Sequence, residues 1–206
     1  MDYNISSNIE SYAETFQNAS TSIYYAHIPI IILTILFGIF IYYKNRKLLL
    51  SKILLAISIA FSLWTFFDFI TWYSYINYRN IVFVWPLLEL LALLFFSLSL
   101  YFTYVFIEKK DISFKIKIVL GTLILPAILL TPTRFSINYF DLGSCEAVEN
   151  KYFQNYTFAI QIIIALWIIF HVIFQYFKRK NKDQRKQILL LGIGIIIFLL
   201  TFFFTS

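Results

Sequence analysis

The chain has 206 residues, of which 60% are hydrophobic, 21% aromatic and only 14% charged. A mean hydropathy of +0.76 excludes an ordinary soluble domain. The net charge of +6 does not mark a nucleic-acid binder, because the basic residues sit in short clusters between apolar runs.

Residues 1–22 are polar and rich in Asn and Ser, with Asp2, Glu10 and Glu14 and no Lys or Arg. They read as an extracellular segment. No basic n-region precedes the first apolar run, so no cleavable signal is expected. Residues 23–206 read as an all-α, polytopic membrane helix bundle with six transmembrane helices. The first span covers about 23–43, with Pro29 in its opening turns, where a missing N–H costs least. The second and third cover about 50–75 and 81–107, longer than the ~20 residues needed to cross the hydrocarbon core. The fourth, about 116–130, contains Pro126 and is expected to kink there. Residues 131–153 form the longest loop. The fifth and sixth spans cover about 156–177 and 187–206. A last helix that stops at Thr205-Ser206 without anchoring charges suggests a fragment, with a further span and a cytoplasmic part to follow. The alternative is a complete six-helix protein.

Charge sets the orientation. The clusters after spans 1, 3 and 5 hold 14 of the 17 basic residues, leaving Arg79, Arg134 and Lys151 opposite. The positive-inside rule then puts the N-terminus outside.

Catalytic patterns are missing. There is no phosphate-binding Gly-rich loop, no Ser nucleophile motif with a His partner and no metal-ligating His pair. The single Cys145 excludes an intramolecular disulfide and a cysteine-built zinc site. His27 and His171 fall on opposite sides of the membrane and cannot share a metal. No enzyme activity, cofactor or metal is expected.

Two carboxylates lie inside the spans, Asp68 in the second and Glu89 in the third. Intramembrane acids are costly and mark candidate functional sites. Trp64, Asp68 and Trp72 recur at four-residue spacing on one helix face, and Trp85 and Glu89 do the same. A turn centred between Tyr78 and Arg79 would set Asp68 level with Glu89 and Trp72 level with Trp85, roughly 10–15 Å below the outer surface. Asp68, Glu89, Trp64, Trp72 and Trp85 are therefore the candidate ligand-binding residues. They would act as a proton-sharing acid pair or as polar anchors with stacking indoles. The bland alternative is that each acid fixes helix packing through a hydrogen bond to a neighbour. His171, one turn after Trp167, is a candidate proton switch, or simply a histidine bonded to a neighbouring helix.

The pattern resembles the seven-helix N-terminal sensor region of bacterial histidine kinases. The likeness rests on a short outer N-terminus, on Trp64 in mid-span, and on the aromatic segment Phe95-Phe96-Ser97-Leu98-Ser99-Leu100-Tyr101-Phe102-Thr103-Tyr104 closing the third span. A basic linker then enters the sixth span as Arg185-Lys186-Gln187-Ile188-Leu189-Leu190-Leu191-Gly192. The resemblance runs from about residue 24 to the end. The seventh helix, the phosphoacceptor His motif and the ATP-binding domain are missing, so kinase activity does not carry over.

The leading expectation is a sensory input module in a bacterial plasma membrane. It would bind a small ligand, or respond to protons or membrane state, and relay by helix rearrangement. Its partners would be the lipid bilayer, a cytoplasmic transmitter domain or partner protein, and a second copy in a homodimer. The alternatives are a small transporter or channel subunit and a structural membrane protein of a complex.

Overall fold

The computed structural model describes residues 25–73, 78–133, 135–141 and 146–205. The polar segment 1–22 and the residues that join spans 2 and 3 lie outside them. The protein is an integral-membrane helix bundle. In chain order the helices are α1 (Tyr25–Lys44), α2 (Leu49–Tyr73), α3 (Tyr78–Glu108), α4 (Phe114–Leu130), α5 (Lys151–Lys178) and α6 (Lys182–Thr205). Five are long and apolar enough to cross a membrane. α4, expected as a fourth span, has 17 residues and is about 26 Å long.

The expected loop 131–153 is not irregular. It contains an antiparallel hairpin of β1 (Ile137–Asp141) and β2 (Glu146–Glu149), which runs directly into α5. α5 starts about five residues earlier than expected because Asn150 caps it. The Asn150 side chain accepts from the Tyr152 amide at 2.9 Å, the N-cap bond that satisfies an otherwise orphaned helix donor. α6 likewise starts near Lys182, where Asn181 Oδ1 accepts from the Asp183 amide at 2.9 Å.

α1 packs antiparallel on α2 through small residues. A Cβ on Gly38 would stand 2.6 Å from the Ser58 Cβ, and Ser62 Oγ donates to the Ile31 carbonyl at 3.4 Å. Ser58, Ser62 and Thr65 are buried along one face of α2, the small-residue seam that lets membrane helices approach. The α5–α6 crossing is equally close, since a Cβ on Gly192 would meet Val172 Cγ1 at 2.6 Å.

α3 is the central helix and touches α2, α4, α5, α6 and both strands. Its Leu93, Phe95 and Leu100 are fully buried and Phe96 nearly so. α5 meets it with Ile160, Ile164 and Ile168, one turn apart on a single face. Phe61, Phe95, Phe198 and Phe202 complete a ring cluster, with Phe95 and Phe202 centroids 4.7 Å apart. In α4, Pro126 removes an N–H from the ladder one turn back. There Tyr156 of α5 donates its hydroxyl to the Leu123 carbonyl at 2.7 Å, tying the two helices together.

Candidate functional site

The acid pair is not the one expected. Asp68 lies five residues from the end of α2, whereas Glu89 lies eleven from the start of α3. Tyr78 and Arg79 belong to the first turn of α3.

Each acid has its own partner. Asp68 Oδ2 pairs with His27 Nε2 of α1 at 2.9 Å. This bond lies further along the same α1–α2 seam as Gly38–Ser58. The Thr71 hydroxyl donates to the Asp68 carbonyl at 2.7 Å. Glu89 instead neighbours the Thr157 hydroxyl of α5, which donates to the Gln154 carbonyl at 3.0 Å, and it interacts electrostatically with the Glu149 carboxyl.

Glu149 closes β2, next to the cap residue of α5. Its backbone is fixed from both sides. The Asn150 amide donates to the Ser136 carbonyl at 3.0 Å, and Asn138 Nδ2 donates to the Glu149 carbonyl at 3.4 Å. Trp85 Nε1 donates to Glu149 Oε1 at 3.1 Å. Glu149 Oε2 is buried and meets no donor among the described residues. Burial pushes the Glu149 carboxyl up to about 7, with a smaller push from the neighbouring Glu89 and a partial offset from the Trp85 N–H.

The three candidate indoles part company. Trp85 belongs to the site. Trp64 does not line it: its ring packs edge-on against Phe202 at 5.1 Å, within the ring cluster of the core. Trp72 is in α2, but its side chain lies outside the described residues. Glu149 and Thr157 were not among the sequence candidates. The outer site is thus Glu89 and Trp85 from α3, Glu149 from β2 and Thr157 from α5.

A second polar group sits at the basic end of α3 and α5. His171 stacks on Tyr104 at 3.7 Å, and Trp167 Nε1 donates to the Tyr104 hydroxyl at 3.1 Å. Gln175 Nε2 donates to Glu108 Oε1. Among the described residues His171 Nε2 and Gln175 Oε1 are buried without partners. Between the two groups lies the Leu93, Phe96, Leu100, Ile164 and Ile168 layer, each at most 1% exposed. No three metal-ligating side chains converge among the described residues.

No protein-family model, curated protein or solved structure matches the chain.

Proposed function

We propose that this chain is a sensory input module of a bacterial plasma membrane, whose stimulus acts at the Glu149–Glu89 site. The stimulus is a proton or a small ligand that donates hydrogen bonds. One observation carries the reading. Two carboxyls from different elements interact electrostatically near the hairpin, and Glu149 keeps a buried oxygen without a donor among the described residues. A proton shared by the pair, or an ammonium or hydroxyl group, would supply that donor.

The site joins three elements, so its occupancy bears on all of them. A proton that relieves Glu149–Glu89 repulsion favours hairpin and bundle together. The deprotonated pair favours their separation. A stimulus with such a difference in affinity can shift a helix packing. The charge bias turns the hairpin end outward. The likeness to the sensor region of histidine kinases agrees with this reading, and in that scheme α3, α5 and α6 pass the change to a cytoplasmic transmitter or partner.

Trp85 is the natural reporter, because its N–H is bonded to the titrating group. The test is tryptophan emission of the protein in nanodiscs against pH, with Trp85→Phe subtracted. A titration with its midpoint near 7 is expected, and Glu149→Gln should abolish it. Emission that stays flat between about pH 5 and 8, or a midpoint that survives Glu149→Gln, would sink the proton-sharing site.

A further inference from the structure

At the basic end, a cavity of about 160 Å³ opens between the last turn of α3 and the turn that joins α5 to α6. Its donors come from three places. Lys109 follows α3 directly, at a left-handed backbone position with φ 57° that reverses the chain. Arg179 sits at the end of α5, and Gln184 and Gln187 project from the first turns of α6. Ile107 and Ile188 supply an apolar wall.

Arg179 is anchored there. Its Nη2 donates to the Ile107 carbonyl at 3.2 Å. A guanidinium has five N–H groups in a fixed fork, so one such bond orients it and leaves others to donate. Glu108 is the one carboxylate in the wall. Its Oε1 accepts from Gln175 of α5. Two cations and two amides therefore outweigh one occupied carboxylate. A ligand for this lining must accept several hydrogen bonds, carry negative charge and tolerate an apolar side. Phosphate oxygens meet those needs.

We propose that this cavity is a binding site for a phosphate group, carried by an anionic lipid headgroup or present as free phosphate. The charge bias places the cavity at the cytoplasmic boundary of the bilayer, where basic pockets between membrane helices take up such headgroups. The inference is independent of the outer site.

The test is native mass spectrometry of the whole chain in zwitterionic detergent. Phosphatidylglycerol is the probe, phosphatidylcholine the control, and inorganic phosphate a separate arm. Retention of phosphatidylglycerol over phosphatidylcholine is expected. Arg179→Gln should lower it about tenfold, and Lys109→Gln should lower it less. Lys47→Gln, in the loop between α1 and α2, should leave it unchanged. Glu108→Gln should raise it, because a like charge leaves the wall. Competition by inorganic phosphate that depends on Arg179 also supports the site and names free phosphate as its ligand. Equal losses in Lys47→Gln and Arg179→Gln would overturn the proposal in favour of diffuse surface attraction. A loss in Glu108→Gln with Arg179→Gln unaffected would overturn it in favour of a cationic ligand. Lys109 has an exposed side chain, so Lys109→Gln keeps the test open if Arg179→Gln fails to fold.

Discussion

Glu149 has an ordinary carboxylate value of 4.5, and its surroundings raise this to about 7. A raised acid binds its proton more tightly when the hairpin is packed than when it is free. Its contribution to packing is therefore full below 4.5 and is lost as pH rises to about 7. Hydrogen exchange of the hairpin amides, corrected for intrinsic rates, should show more protection near pH 5 than near pH 8. The opposite order would contradict the burial argument. Burial is the larger cause and Glu89 the smaller. Glu89→Gln should therefore move the Trp85-reported midpoint downward without returning it to the ordinary value. Asp68→Asn should leave it in place, because Asp68 bonds to His27 in a different seam. A midpoint that follows Asp68 would restore the pairing expected from sequence. Glu89 and Trp85 were legible as candidates because an acid and an indole one turn apart stand out in an apolar helix. Glu149 was not, because its depth comes from the fold of a loop. The one local sign was its place directly before the Asn150 cap.

The helices were legible as elements, since apolar length alone determines them. Most of their ends were legible too, but the starts of α5 and α6 were not, because each depends on one polar cap bond. α5 shows this: Asn150 accepts from Tyr152 and opens the helix at Lys151, inside what reads as loop. The hairpin was hidden for a related reason. Its strands have five and four residues with a register irregularity near Ile137, too short for alternation to stand out. Asn150 holds both elements at once, so Asn150→Ala should destabilise the outer end by about 1 kcal/mol. Limited proteolysis in the hairpin would report it as faster cleavage, with sites at the basic end unchanged. Gly192 gives the corresponding test at the α5–α6 crossing. A leucine there would drive its Cβ into Val172, and overpacking of this kind costs about 1–3 kcal/mol. Thermal unfolding in detergent should fall accordingly. An unchanged unfolding temperature would mean that α6 does not rest on α5 at that point.

At the scale of the whole molecule, the carboxylates of the two polar groups lie toward the two ends of the bundle, and apolar packing dominates between them. Trp85 and Glu149 join α3 to the strand that leads into α5 at the hairpin end, and Glu108 and Gln175 join α3 to α5 at the basic end. The layer between them is mostly apolar, with Ser97, Ser99 and Gln161 buried among its side chains, and close packing makes it resist compression and move as a unit. A displacement of α3 against α5 at one end must then appear at the other, through side chains that interlock rather than through a chain of polar groups. Glu149→Gln mimics the protonated site at a fixed pH and so separates relay from the direct effect of pH. Compared with the unaltered chain near pH 8, it should change hydrogen exchange in residues 171–179 as well as in the hairpin. Ile164 is fully buried in the layer, and Ile164→Ala removes part of the interlock at a cost of about 2–5 kcal/mol. In the Ile164→Ala background the hairpin response should persist and the response at 171–179 should shrink. If both responses survive, the coupling runs outside the α3–α5 interface. If neither distant response is seen even in Glu149→Gln alone, the outer site acts locally and the module reading loses its relay.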